Sequence, residues 1–259
     1  MNQVIRYPFP WTVVGPMLYA ALRVHAAKSR RSFRRDARRC VDQLFPALRV
    51  YGREHIPRAG AHLLTINHYA HPGFRAWWLA LSVSAVVPTD VHWITTAAWT
   101  YPDRFRARTI TPLSRWLFGR VAQVYGFTSM PPMPPNPDDV VARAAAVRQV
   151  LTFARHTRQA VIGLAPEGSD AHDGKLQWPP NGSGRLMLHL SRIGLDVVPV
   201  GGFEADGAFC LRFGPGYKLN VSAGLANDER DREASRIVMQ HIAAQLPARL
   251  RGEFGQLDR

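Results

Sequence analysis

Short runs that suit β-strands alternate along this chain with stretches of helical period, and this alternation limits the fold more than any other feature. Runs at residues 62–66, 92–96, 160–164 and 197–200 predict strands, and the first of them has the apolar character of a buried strand. Helical stretches lie between them. Strands and helices in this order predict an α/β domain with a mixed, mostly parallel sheet flanked by helices.

Turn and capping signals place the other elements. A proline-rich segment at residues 130–137 cannot be helical and is the best candidate for an insertion or a lid. Asn136 or Asp138 caps the helix that follows it. The remaining predictions are a strand at 48–51, a weak strand at 121–125, a hairpin of 208–213 with 217–221, and helices at 74–87, around 110–118, up to 155, at 184–193 and at 230–246.

The composition suggests one large α/β domain, which we place at residues 47–259. The chain has 259 residues, 46% of them hydrophobic, so a domain of this size can bury a core without a disulfide or a metal. Cys40 and Cys210 are far apart, which excludes a cysteine-based zinc site. A net charge of +14 favours an anionic partner, either nucleic acid or a membrane surface.

The first 46 residues predict helical segments that associate with a membrane. No residue between Arg6 and Arg23 is charged. Sixteen helical residues reach only about 24 Å, against a hydrocarbon core of about 30 Å, so an interfacial or re-entrant anchor suits the segment better than a span. A basic run at residues 28–39 follows, and each of its bases contributes about 1 kcal/mol near an anionic leaflet. The alternatives are an apolar helix packed on the domain and a solvated helix face.

Two segments carry candidate chemistry. His68 directly follows the strand at 62–66, and Pro166-Glu167-Gly168 follows the strand at 160–164. The carboxyl ends of parallel strands are where α/β folds present reactive groups. A neutral histidine there can take a proton from an alcohol near pH 7, and the turn can aim a carboxylate and backbone N–H groups into the same crevice. Either signal alone is weak.

Together with a third block they resemble the lysophospholipid and glycerol-phosphate acyltransferases over about residues 48–246. The family blocks are Asn-His-x-Ser-x-x-Asp, Phe-Pro-Glu-Gly-Thr-Arg and Val-Pro-Val. Here they read Asn67-His68-Tyr69-Ala70-His71-Pro72-Gly73, Ala165-Pro166-Glu167-Gly168-Ser169-Asp170 and Val198-Pro199-Val200. The resemblance implies a glycerolipid acyltransferase-like fold and transfer of an acyl group from acyl-CoA or acyl carrier protein to a hydroxyl. His68 would be the general base, and neither a cofactor nor a metal would be needed.

The departures from the family pattern concern charge. Gly73 stands where the family has its aspartate, and Asp170 stands where it has an arginine for the acceptor phosphate. Asp170, Asp173 or Glu167 can supply the missing carboxylate, and His71 can be a second base or a loop histidine. One interpretation is that the acceptor is uncharged at that position, unless Lys175 and Arg185 compensate for the arginine. The alternative is that the protein no longer catalyses and instead binds lipid.

The expected site therefore has two parts. The catalytic candidates are His68, Glu167 and Asp170, and the substrate-binding candidates are Asn67, His71, Gly73, Pro166, Gly168, Ser169 and Arg185. The group His68, His71, His172 and Asp173 matches no standard set of metal ligands, so no metal site is predicted. The expected partners are membrane lipids at the cytoplasmic face and the thioester carrier. Nucleic acid would explain only the charge and no motif, and the oligomeric state stays open.

Overall fold

The structure is a computed structural model that describes residues 4–9, 11, 15–17, 19, 31–71, 73–134, 136–169 and 173–255. Its strands are β1 (Arg49–Tyr51), β2 (His62–Ile66), β3 (His92–Thr96), β4 (Thr128–Met130), β5 (Val161–Leu164), β6 (Asp196–Ala205) and β7 (Ala208–Phe213). Its helices from residue 31 onward are α1 (Phe33–Val41), α2 (Trp77–Val86), α3 (Arg104–Tyr125), α4 (Val140–His156), α5 (Ser183–Arg192) and α6 (Asn227–Ala244), with short 3-10 turns between some of them.

The described strands form one sheet in the order β1-β7-β6-β2-β5-β3-β4. Neighbouring strands are parallel except β6 and β7, so the predicted mixed, mostly parallel sheet is confirmed. β2 lies between β5 and β6, and its Leu64 is in register with Gly163 on one side and Val198 on the other. The carboxyl ends of β2, β5 and β6 therefore meet at one edge of the sheet.

The centre of the core is β2. Leu63 and Leu64 are fully buried and Ile66 is 1% exposed, so side chains on both faces of the strand are covered. Burial on both faces is what a parallel sheet between two helical layers requires. Trp78 of α2 and Met187 of α5 belong to the same buried cluster. Residues 62–66 and 92–96 were predicted with the bounds that the strands have.

Helix α3 is longer than predicted and takes the place of a predicted strand. The helix expected around residues 110–118 runs from Arg104 to Tyr125. The weak strand predicted at 121–125 is therefore wrong. Val121, Val124 and Tyr125 recur at the i, i+3, i+4 spacing of one helix face, whereas a strand would place Val121 and Val124 on opposite faces. Gly126, with a φ of 73°, ends the helix, and β4 begins only after that turn.

The hairpin is also displaced from its predicted position. β6 runs to Ala205, and Asp206-Gly207 turns the chain directly into antiparallel β7. Both turn residues have positive φ, 49° and 68°, as a two-residue hairpin turn of the Asp-Gly type requires. The predicted partner strand at 217–221 is reduced to a single bridge between Tyr217 and Val197.

Helix α1 contains most of the basic run. It packs on the rest of the protein through the face that carries its small apolar residues. Ala37 and Cys40 are buried. Arg34 and Arg38 donate hydrogen bonds to the carbonyls of Val87 and Ala85, just after and at the end of α2. Part of the basic run is therefore used in contacts within the protein. A domain boundary at residue 46 remains a prediction.

The apolar segment at residues 7–22 is described only in part. Tyr7 packs against Phe74, Trp78 and Phe209 with ring-centroid distances of 5.2–6.1 Å. Its residues 10, 12–14, 18 and 20–22, and residues 28–30 of the basic run, lie outside the described residues, so the anchor stays a prediction. Within the described part of the chain, every helix is too short or too polar to cross a bilayer.

Helices α5 and α6 pack closely against each other at Gly184. A Cβ built there would lie 2.0 Å from the backbone oxygen of Asp231. We expect Gly184→Ala to lower the free energy of unfolding by about 1–3 kcal/mol or more, because the two backbones must separate.

Gly119 of α3 provides the matched control, because a Cβ there would meet no atom within 4 Å. Gly119→Ala should stabilise the protein by up to about 1 kcal/mol through helix propensity. Urea denaturation of both variants measures the difference. Equal midpoints for Gly184→Ala and the unmodified protein would contradict the close approach of the two helices.

Candidate active site

Asn67 holds the chain at the point where it leaves β2. Its side-chain nitrogen donates to the Gly202 carbonyl at 2.9 Å, and its side-chain oxygen accepts from the Gly202 N–H at 2.7 Å. Asn67 is 2% exposed, so this pairing is dry and fixes the end of β2 to β6. The next residue, His68, is half-buried at the carboxyl edge of the sheet.

Glu167 fixes the same histidine from the other side. The side chain is 3% exposed. One carboxylate oxygen accepts the His68 backbone N–H at 2.7 Å, and the other accepts the Gln177 backbone N–H at 2.8 Å. A buried carboxylate that accepts two such bonds ties the loop after β2 to the loop after β5. The geometry gives Glu167 a positioning role for the His68 backbone, and a catalytic role for Glu167 stays a prediction.

The proline-rich segment lies against the turn that carries Glu167. A Cβ on Gly168 would be 3.5 Å from Cγ of Met133. The Thr100 hydroxyl donates to the Met133 carbonyl at 3.0 Å, and the Arg143 guanidinium donates to the carbonyls of Pro131 and Pro132. Pro166 is buried beneath this contact, while Gly168 and Ser169 are exposed. The segment is thus tied to both α4 and the start of the β3–α3 loop.

A second histidine has a carboxylate partner at the same edge. His71 Nε2 lies 2.9 Å from Glu204 Oε1 near the end of β6. The Tyr7 hydroxyl donates to the same oxygen. Burial first, and then the bond to Glu204, raises the pKa of Tyr7, so it stays a protonated donor. The sequence reasoning missed Glu204 because it ended β6 at residue 200.

The His71–Glu204 pair lines a cavity of about 630 Å³ that also contains Gly73. Tyr69 and Arg249 contribute to its wall. Gly73 has a φ of 92°, and a Cβ there would meet no atom within 4 Å. Position 73, where the similar family has an aspartate, is therefore open. Its backbone conformation, however, is one that residues other than glycine adopt only with strain.

The two candidate phosphate-binding cations, Lys175 and Arg185, have acidic partners. Asp173 lies 3.5 Å from the Lys175 ammonium, and the hydrogen bond from the Lys175 backbone lowers the pKa of Asp173. Asp231 accepts the Arg185 backbone N–H at 2.7 Å and lies 4.0 Å from its guanidinium. Asp170, like His172, is outside the described residues.

The structure thus joins some of the predicted residues through hydrogen bonds or a shared cavity. Asn67, His68 and Glu167 form one hydrogen-bonded unit, and His71 with Gly73 lines the cavity. Arg185 belongs to the contact between α5 and α6. Among the described residues, no group of three or more His, Cys, Asp or Glu side chains is arranged to hold a metal ion.

Comparison with known proteins supports the fold. The structure is similar to the crystal structure of the 1-acyl-sn-glycerophosphate (LPA) acyltransferase PlsC from Thermotoga maritima, with a TM-score of 0.53 over 90% of each chain. The sequences are 14% identical, so the likeness establishes a shared acyltransferase-type fold. No protein-family model matches this chain, and no curated protein matches it.

Glu167→Gln tests the positioning role. A glutamine offers one acceptor where two backbone N–H groups need one each, so one donor is left facing an NH₂ group. We expect a loss of about 1–3 kcal/mol in the free energy of unfolding. Glu54→Gln, at a side chain that is 72% exposed, is the control and should have no measurable effect. Thermal and urea unfolding of both variants decide, and equal stability of the two would contradict the bridge.

Proposed function

We propose that this protein is an acyltransferase at the cytoplasmic face of a membrane. It would move a fatty acyl group from acyl-CoA or acyl carrier protein to a hydroxyl of a lipid-like acceptor. The observation that carries the proposal is the fixed position of His68, held by Asn67 and Glu167 at the carboxyl edge of the sheet. The fold shared with an LPA acyltransferase and the three sequence blocks point the same way.

In the proposed reaction His68 acts as the general base. The imidazole takes the proton of the acceptor hydroxyl while its oxygen attacks the thioester carbonyl. The carbon–sulfur bond then breaks, and the departing thiolate takes up the proton from the imidazolium. The acyl group passes directly between substrates, so no covalent enzyme intermediate and no resident cofactor are required.

The His71–Glu204 pair is a second candidate for the base. A carboxylate 2.9 Å from one ring nitrogen orients an imidazole and stabilises its protonated form, which is the task of the aspartate that Gly73 replaces. The pair also lines a cavity large enough for part of a substrate. The two assignments of the general base, to His68 or to His71, predict different effects of substitution.

His68→Gln should reduce acyl transfer by about 10²–10⁴-fold, the usual contribution of a general base. Release of free thiol from acyl-CoA, with a panel of long-chain alcohols as acceptors, measures the rate. His71→Gln should retain most of the activity if His71 only shapes the cavity. The control is His156→Gln at an exposed position in the last turn of α4. A large loss in His71→Gln with unchanged turnover in His68→Gln would transfer the role to His71.

The acceptor is proposed to be uncharged at the position where the family binds a phosphate. A partly buried phosphate needs paired cations, and this chain has Asp170 where the family has arginine. Lys175 and Arg185, the first two cations downstream of Asp170, already pair with Asp173 and Asp231. A neutral alcohol avoids the repulsion that an anionic acceptor would meet.

Asp170→Arg should therefore improve the use of phosphorylated acceptors. Acylation of glycerol 3-phosphate and lysophosphatidic acid should be poor in the unmodified protein, and the variant should raise their kcat/KM relative to a neutral alcohol by about tenfold or more, the effect of one charge-assisted hydrogen bond. Asp42→Arg, at an exposed position just after α1, makes the same change in charge and is the matched control. Efficient acylation of lysophosphatidic acid by the unmodified protein would refute the proposed acceptor class.

One observation favours a second function. Gly73 leaves the family's aspartate position empty, in a backbone conformation that glycine adopts without strain but other residues do not, as expected of a member that binds acyl chains without transferring them. Mass spectrometry of lipid that co-purifies with the protein separates the two. Bound lipid together with no thiol release in any acceptor panel would favour the binding protein.

A further inference from the structure

The outward face of α3 is apolar. Phe105 is 76% exposed, Leu113 is 62% exposed and Trp116 is 44% exposed. Phe105, Pro112 and Trp116 are separated by seven and four residues, so they follow one another along a single side of the helix. Ser114, on the opposite side, is buried. The large side chains of this stripe therefore point away from the core that the helix covers.

Arginines border the stripe. The helix contains five arginines and no acidic residue. Arg106 pairs with Asp103 at 2.8 Å. Arg104, Arg108 and Arg115 are exposed, and no described carboxylate pairs with them. An exposed helix face with aromatic and aliphatic side chains between unpaired guanidinium groups has the composition of an interfacial membrane helix.

We propose that this face of α3 docks on an anionic lipid surface. The face consists of the apolar residues Phe105, Pro112, Leu113 and Trp116 and the arginines Arg104, Arg108 and Arg115. The apolar side chains enter the boundary between headgroups and acyl chains, and the guanidinium groups bind lipid phosphates. The partner is chosen by charge complementarity: a second copy of this chain, with a net charge of +14, would bring cations to cations. A polynucleotide would satisfy the arginines but leave Leu113 and Phe105 in contact with a charged backbone.

The position of α3 suits such docking. Parallel β3 points towards the same edge of the sheet as β2 and β5, and α3 begins a few residues after β3 ends. In the loop between them, Thr100 bonds Met133, which lies against Gly168. The amino end of α3 is thus joined to the turn that carries Glu167. The inference does not depend on acyl transfer, because docking needs no substrate.

Co-sedimentation of the full chain with vesicles tests it. The protein should bind phosphatidylglycerol-containing vesicles far better than pure phosphatidylcholine vesicles, and salt should weaken the binding. Replacing Arg104, Arg108 and Arg115 with Gln should lower the partition coefficient by on the order of 100-fold, since each arginine acts near the leaflet. Phe105→Ser with Trp116→Ser should lower it by about tenfold or more.

Matched controls come from exposed residues elsewhere. Val140→Ser with Val141→Ser removes apolar side chains that are 64% and 77% exposed on α4. Gln replacements at Arg148, Arg158 and Arg192 remove the same charge from other exposed positions. All variants should keep the thermal midpoint of the unmodified protein, because the replaced side chains are exposed.

Vesicle binding that falls equally in the α3 variants and in their controls would overturn the proposal, and so would binding that does not distinguish the two lipids. Light scattering that shows a dimer dissociated by Phe105→Ser with Trp116→Ser would assign the face to a second copy instead. If the unmodified protein binds duplex DNA but not vesicles, and the α3 variants lose the DNA binding, the face would be assigned to nucleic acid. Acyl transfer to a detergent-dispersed acceptor is measured separately, so its failure leaves the docking result intact.

Discussion

One buried carboxylate sets the geometry of the candidate site. Moving an ionised group out of water is costly unless hydrogen bonds replace the lost solvation, and Glu167 receives them from the backbone of His68 and of Gln177. Because the two donors belong to loops that follow different strands, the charge can be satisfied only when both loops are in place. Asn67 adds the equivalent constraint towards β6. The position of His68 is thus a consequence of three neighbouring strands.

Near Gly73 the carboxylate that contacts a histidine is Glu204 of β6. At Gly73 the chain adopts a φ of 92°, and the space where a side chain would point is open. His71, two residues earlier, has turned to Glu204, which β6 can offer only because that strand extends to the hairpin. Burial keeps the Tyr7 hydroxyl protonated beside the same carboxylate. An aspartate at position 73 would therefore strain the backbone, and His71 already has a carboxylate partner in Glu204.

The sequence predicted what depends on local pattern and short motifs. Period and apolar runs located β2 and β3 to the residue, and the order of the three blocks indicated the fold that the LPA acyltransferase comparison supports. Contacts between residues far apart in sequence could not be read in this way. Glu204 is 133 residues from His71, and the acid that holds Arg185 comes from another helix. The run at residues 121–125 misled the assignment because valine and tyrosine favour strands, whereas the spacing of Val121 and Val124 is that of one helix face.

The helix α3 is connected to the site at the strand ends through a loop, a hydrogen bond and a packing contact. The β3–α3 loop carries Thr100, Thr100 holds Met133, and Met133 covers Gly168 beside Glu167. A helix that rests on a lipid surface would bring this edge of the sheet close to that surface, because its first turn begins at the same edge. An acceptor with a long apolar tail could then reach His68 with its hydroxyl while its tail stays in the bilayer. Under the proposed function such an acceptor would need no phosphate for capture, since the membrane would supply the affinity, and this agrees with Asp170 at the position where the similar family has an arginine.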